Sequence, residues 1–445
     1  MQARIAILAA AVTLAASAYA QTAEEFRQLG NTLTPIGAEK AGNKEGTIPA
    51  YTGGNTQLPE GYKKGSGVYL DPFAEEKPRL SIDAKNMEAQ ADKLTEGTKA
   101  LLKRYPSFRV DVYPTHRTVW FNKSVLDATM GKAGKAQTSN GGLSLDGVWA
   151  QYPFPIPKDG SQVMWNHLTR MPGTSSYQIR AEAYNVDASG TRTLSSGQLC
   201  DWGKPYWDDK PQDVAATARC FYFAPARRAG EALMALDPLD FSRDTRKAYQ
   251  YLPGQRRVRL APDLAFDTPN PGTAGVQTYD DIGMFNGSLE RYNWKLVGKK
   301  EVIVPYNAYK ATFGSTPDEL FGAKHLNPDR VRWELHRAWV VEADLKEGQR
   351  HVYKKRRFYV DEDSWAILAT ETYDARDQLY KVGYSLQSPS YEFGGTFSEA
   401  TVFYDLVAGN YANNFVPFTT GYVRHTKPLP AREWTGGALA GAGIR

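Results

Sequence analysis

The residues best equipped for chemistry in this chain are few and far apart. Six histidines, His116, His167, His325, His336, His351 and His425, are scattered, and no pair has the spacing of a zinc-binding helix or finger. No metal site is therefore expected. The sequence has no Gly-x-Ser-x-Gly elbow, no phosphate-cradling glycine loop and no dinucleotide fingerprint. The acid pairs Asp280-Asp281 and Asp361 with Asp363 fall in turn-like text, where aspartate is favoured for the hydrogen bonds it makes to its own backbone. His116, beside Arg117 in Tyr113-Pro114-Thr115-His116-Arg117, has an odd local setting, but general acid–base work there needs partners the spacing does not supply. No catalytic residue and no cofactor follow, so a hydrolase assembled only in space is the lesser alternative.

A different kind of site is written into Val331 to Leu345. Its odd positions run Val331, Trp333, Leu335, Arg337, Trp339, Val341, Ala343 and Leu345, while the even ones are mostly polar. Side chains alternate across a strand, so one face is apolar and carries a single arginine. An unpaired guanidinium in a dry core costs several kcal/mol, so Arg337 either pairs with a carboxylate or faces an amphipathic hollow. Glu371 shares its parity with Trp365, Ile367, Ala369 and Tyr373, and is the carboxylate candidate. Both readings stay open. The candidate ligand-lining residues are Trp333, Leu335, Arg337, Trp339, Trp365, Ile367, Tyr249, Tyr251 and Val258.

The elements that must position these residues are mainly β. Tyr177 to Val186 turns through Asp187 to Gly190 into a second strand from Thr191, and Ala248 to Tyr251 turns through Leu252-Pro253-Gly254-Gln255 into Arg256 to Leu260. After Leu345, strands over 351–360, 365–374 and 379–386 follow with short turns, so they must be antiparallel neighbours. Thr22-Ala23-Glu24-Glu25 and Thr316-Pro317-Asp318-Glu319 have helix-start spacing. A helix is expected over Ser81 to Tyr105, interrupted at Gly97 and ended by Pro106. The fold class is mainly β (α+β): a large curved antiparallel sheet forming a half-barrel, covered by a few helices, with an extended N-terminal arm. Expected divisions are residues 1–20 as signal peptide, 21–105 as arm and covering helices, 106–430 as half-barrel and 431–445 as flexible tail.

Residues 1–20 read as an export signal: Arg4, an apolar stretch from Ile5 to Ala16, then Ala18-Tyr19-Ala20 before Gln21. The stretch is short of the roughly 20 residues a spanning helix needs, so a soluble periplasmic protein is expected. Cys200 and Cys220, the two cysteines, then read as one disulfide, worth about 3 kcal/mol. A net charge of +5 is too mild for nucleic-acid binding. Arg256 and Arg257, together with His116 and Arg117, are the candidates for docking a partner.

Four long stretches carry a resemblance: LTPIGAEKAGNKEGTIPAYTGG from Leu33, RYPSFRVDVYPTHRT from Arg104, LDPLDFSRDTRKAYQYLPGQRRVRLAP from Leu236, and VPYNAYK from Val304. They resemble domain-of-unknown-function family 1329, exported proteins of proteobacteria. The second half is similar in style to periplasmic lipoprotein-sorting carriers of the Lol type. That resemblance implies a helix-covered half-barrel with a hollow for acyl chains. It also implies company with an outer-membrane β-barrel protein and a proton-driven exporter. The expected function is a periplasmic carrier or adaptor that binds a lipid or other hydrophobic molecule on the concave face and hands it between membrane components. The alternative is a non-catalytic scaffold docking an outer-membrane barrel or exporter.

Overall fold

Two runs of alternating residues each fold back on themselves and then meet edge to edge. In a computed structural model, which describes residues 23–443, the first meander comprises Ser176–Val186, Arg192–Gly203, Val214–Ala224, Ala232–Pro238, Lys247–Leu252 and Arg257–Leu260. The second comprises Tyr292–Pro305, Trp333–Leu345, Lys355–Asp361, Ile367–Tyr373, Leu379–Ser385, Thr401–Asp405 and Asn410–Asn414. They join where Tyr411 and Ala412 pair with Val186 and Asn185. With Leu80–Ile82, Val110–Val112 and Tyr422–His425 this makes one 16-stranded sheet, antiparallel except where Val112 pairs with Trp333. The sheet is curved and does not close, as the half-barrel reading requires; its strand path ends at Leu80–Ile82 and Arg257–Leu260, and Tyr292–Pro305 branches from it as a further edge beside Trp333–Leu345. The expected signal peptide lies outside the described residues.

Turn chemistry explains the first hairpin. Asp187 Oδ1 accepts from the amides of Ser189 and Thr191, and Gly190 takes the positive φ of 95° that the turn needs. The cysteines sit directly opposite each other on Arg192–Gly203 and Val214–Ala224, where they are bonded.

Three local expectations change. The helix expected over 81–105 is broken into a strand at Leu80–Ile82, a turn of 3-10 helix at Met87–Gln90, and an α-helix at Glu96–Arg104. Ile82 is taken by pairing with Val110, and Thr95 caps the α-helix by accepting from the Thr98 amide. Gly97 does not interrupt this helix but lets it dock. A Cβ there would stand 2.5 Å from Val382 Cγ1, and the Gly97 amide donates to Glu371 at 2.7 Å. The tail also differs: Gly436–Gly443 is helical, and Leu439 is buried among Ala232, Met234 and Tyr251. The helix approaches the sheet most closely at Gly436, where a Cβ would stand 3.3 Å from Tyr249 Cδ1.

The arm over residues 27–79 has no helix or sheet strand and is held by individual bonds. Ile36 C=O accepts from Trp365 Nε1, Tyr51 donates to Val119 C=O, Tyr62 donates to Glu392, and Gly67 C=O accepts from the Val423 amide. Helix Glu96–Arg104 packs on strands Ile367–Tyr373 and Leu379–Ser385, and helix Gly160–Leu168 packs on Tyr292–Pro305 and Trp333–Leu345. No helix among the described residues is long and apolar enough to cross a membrane.

Leu439→Ala is expected to cost about 2 kcal/mol or more, since it empties a buried leucine site. Urea unfolding measures this; an unchanged midpoint and slope would show that the tail helix contributes nothing to the fold.

Candidate functional site

The apolar row of Trp333–Leu345 is filled rather than hollow. Trp333 packs edge-on against Tyr384 at 5.1 Å, Trp339 stacks on Trp365 at 6.0 Å, and Leu335 and Ile367 are buried in the main core. Trp365 adopts φ +61° at the end of the turn after Asp361, which places its ring over Trp339. Arg337 is buried and does not pair with Glu371. Its Nε donates to Glu362 at 2.8 Å, Nη1 lies 3.4 Å from Glu39, and Nη2 donates to Ala41 C=O. Glu371 instead accepts from Gly97 and, at 3.4 and 3.3 Å, from Tyr359 and Tyr373. Burial pushes its carboxyl above the ordinary glutamate range. Parity placed both residues on apolar faces, but the partners came from the turn after Asp361, from the arm and from a helix, which strand alternation does not encode.

Tyr249, Tyr251 and Val258 line neither of the two cavities described below. Cross-strand pairs share a face, so Tyr251 opposite Ala232 and Tyr249 opposite Met234 fall on the side covered by the tail helix. Of the docking candidates, Arg256 and Arg257 are exposed at the tip of the edge hairpin. Arg117 is not available to a partner, because its guanidinium is forked onto Asp363 at 2.7 and 2.8 Å and touches Glu362. His116 stacks on Phe73 at 4.1 Å, and its Nε2 is 2.7 Å from Glu76. No Ser or Thr hydroxyl bonds to that ring among the described residues.

Arg117 and His116 border an open groove of about 1130 Å³ between arm residues 49–76 and the 116–118 segment. Beneath it lies a buried ionic network. Glu334 accepts from Arg332 at 2.5 Å, from Asn307 at 2.9 Å and from the His116 amide, and its Oε2 is 2.9 Å from His336 Nε2. Glu362 holds Lys299 as well as Arg337. His336, Asp361 and Asp363 each bring a potential ligand atom to within 4.8 Å of the others. Burial, with the Asp363 charge adding to it, pushes the Asp361 carboxyl above the ordinary aspartate range.

A partly open hollow of about 100 Å³ lies on the other meander, away from the residues expected to line a ligand site. Its sheet wall is one face of three strands: Trp202 opposite Ala218, Ala218 opposite Ala235, and Ala216 opposite Asp237. Ala216, Ala218 and Ala235 present only methyl groups beside Trp202, which leaves the space open. Helix Gly160–Leu168 contributes Trp165, and the irregular 264–287 segment contributes Leu264, Ile282 and Phe285. Polar groups at the margin are mostly spent on each other. Arg246 is forked onto Asp237 at 2.6 and 2.7 Å, and Arg170 meets Glu399 at 2.9 Å. Lys204 is different. It is buried, its Nζ donates to Leu168 C=O at 3.0 Å, and it touches no carboxylate among the described residues. Burial, then the Arg170 charge, lowers its pKa to about 7.

A family model described as a protein of unknown function (DUF1329) matches residues 81–440. The chain belongs to the DUF1329 family. An uncharacterized protein of Pseudomonas aeruginosa is 38% identical over 410 residues, covering 88% of this chain and 87% of its own length. Among solved structures, a DUF1329 family protein from Desulfovibrio piger is 14% identical, with 60% of this chain and 92% of that one covered at a TM-score of 0.42. A LolA superfamily protein from Nitrosomonas europaea is 12% identical, with 62% and 98% covered at 0.37. In this DUF1329 member, Lys204 and the alanine wall fall inside the matched range, whereas Glu39, Ala41 and Tyr51 of the arm precede it.

Lys204 was legible in part. It ends a run of alternate positions Gln198, Cys200, Trp202 and Lys204, so a cation on a mixed face was readable, but not its burial under helix Gly160–Leu168. Its lowered pKa makes a signed prediction. The folded state holds the Lys204 proton less tightly than the unfolded chain, so Lys204 costs stability in full below about pH 7, and the cost fades as pH rises toward the unfolded value near 10.5. The stability gap between wild type and Lys204→Met should shift in favour of wild type by on the order of a few kcal/mol across that window. Chemical denaturation at pH 7, 8.5 and 10 measures it; a constant gap would contradict a buried, depressed lysine.

Proposed function

We propose that this protein is a carrier for a hydrophobic molecule with an acidic end, held in the hollow behind Ala216, Ala218 and Ala235. The observation that carries this reading is Lys204, a buried cation at the margin of an apolar cavity with no carboxylate partner among the described residues. Lys204 would meet the acidic group while the alanine wall takes the chain, at about 0.8 kcal/mol per methylene removed from water. No bond is made or broken. The hollow is smaller than the roughly 300 Å³ at the low end of ligand pockets. It therefore takes a short apolar segment as it stands, and a longer chain enters by displacing the 264–287 cover, whose backbone is bonded in short turns rather than in the sheet. In this reading the carrier works in the periplasm and passes its cargo between membrane components, as the Lol-type resemblance implied. The site differs from the one expected at Arg337, where the inner face is packed.

The test is gentle purification of the mature chain, lipid mass spectrometry of its extract, and titration with a fluorescent fatty acid. Binding is expected in the micromolar range or tighter, weakening as pH rises above 7 because Lys204 loses its proton. Ala235→Trp should reduce affinity tenfold or more by filling the hollow. A ligand-free protein that ignores the probe at all pH values would sink the carrier reading.

One feature favours the scaffold as a second reading. The edge hairpin ending in strand Arg257–Leu260 is short, carries Arg256 in its turn and Arg257 and Arg259 on its strand, all exposed, and leaves Leu260 66% exposed. A basic strand edge with an apolar residue is suited to an acidic partner surface, such as that of an outer-membrane barrel. Arg256→Glu with Arg257→Glu should then lower capture of such a barrel while leaving thermal unfolding unchanged; undiminished capture counts against docking there.

A further inference from the structure

Of the four buried carboxylates in the network below the groove, three are neutralised by contact. Glu334 has Arg332, Glu362 has Arg337, Lys299 and Arg117, and Asp363 has Arg117. Asp361 is fully buried and has no lysine or arginine within ion-pair reach among the described residues. Its Oδ2 accepts from Ser364 Oγ at 2.6 Å, Tyr306 at 3.0 Å and Gln387 at 3.4 Å. Its Oδ1 accepts nothing, and neither does the neighbouring Gln387 Oε1. Two orphaned acceptors in a dry interior, one of them on a carboxylate, are costly unless a cation or donor meets them.

The neighbours make a metal ion the fitting cation. His336 and Asp363 place ligand atoms within 4.8 Å of that of Asp361 and of each other. Three atoms 4.8 Å apart share a central point about 2.8 Å from each, and zinc bonds are about 2.0–2.2 Å, so closing on an ion takes shifts of up to roughly 0.7 Å per ligand atom. His336 Nε2 is engaged by Glu334, which leaves Nδ1 as the metal-binding nitrogen and reproduces the carboxylate–histidine–metal arrangement. Tyr306 stacks on the His336 ring at 3.6 Å and fixes its plane. Imidazole with two carboxylates suits zinc, iron or manganese and disfavours calcium. Arg117 lines the groove and is paired with Asp363, so the cluster lies directly beneath the groove floor.

We propose that His336, Asp361 and Asp363 bind one divalent transition-metal ion, zinc foremost, with Glu334 orienting His336. The ion cancels the surplus charge of Asp361 and ties the turn after Lys355–Asp361 to strand Trp333–Leu345. Its role is to hold the groove floor and arm in place. This site is separate from the hollow at Lys204, and the fatty-acid experiment does not bear on it.

The test uses full-length mature protein without a polyhistidine tag, purified without chelator. Elemental analysis should find close to one zinc per chain. After chelation, Co²⁺ titration should produce visible absorption of nitrogen and oxygen coordination that saturates at one equivalent, and Zn²⁺ should raise the melting temperature. Asp361→Asn should remove tight binding, while Glu334→Gln should weaken it roughly 10–100-fold. Wild-type protein that takes up neither Zn²⁺ nor Co²⁺ overturns the proposal without recourse to any variant. So does Asp361→Asn protein that binds either ion as tightly as wild type, since the ion then sits elsewhere.

Discussion

The carboxylate of Glu362 is the contact on which the second meander depends. One buried group accepts from Arg337 of strand Trp333–Leu345, Lys299 of the edge strand, Arg117 of the 113–118 segment and the Glu39 amide of the arm. Four pieces of chain far apart in sequence are thereby fixed to one turn. Removing a single partner from such a network leaves buried charge exposed to no solvent, which is far more destabilising than losing the net value of any one pair. The left-handed Trp365 follows in the same turn, and its indole N–H reaches the arm at Ile36.

This arrangement decides how the inner face of the sheet is used. Over the second meander the face is occupied by the Trp339–Trp365 stack and by the ionic network, sealed by the arm. Over the first meander the strands bear alanines, the cover is an irregular segment instead of a charged turn, and a hollow of about 100 Å³ persists. A curved open sheet has to fill its concavity along its whole width, and this one does so with different materials in its two halves. The carrier reading belongs to the alanine half and the metal inference to the ionic half, so the two stand or fall separately.

The arm explains why an arginine can sit among tryptophans. Residues 39 and 41 supply a carboxylate and a carbonyl to Arg337 from outside the sheet. They precede the family match at residues 81–440, and yet they complete the ionic half of the body. An arm with no regular hydrogen-bonded structure of its own is ordered here by charge and by tyrosine hydroxyls: Tyr51 and Tyr62 each donate across more than sixty residues of sequence.

The mainly β class, the hairpins at Asp187 to Gly190 and Leu252 to Gln255, the capped turn at Thr316 and the Cys200–Cys220 pair were all legible, because each rests on alternation, turn residues or a single pairing choice. Arg337 as an anomaly on an apolar face was legible for the same reason. Tertiary structure alone decided that Glu362 and the arm, not Glu371, neutralise it, and that Tyr249 and Tyr251 face a tail helix. It alone brought His336 within reach of Asp361 and Asp363, residues whose spacing reads as a turn. Alternation reports which side of a strand a residue takes, whereas what stands opposite that side is set by how distant segments fold over the sheet, and no local pattern carries that information.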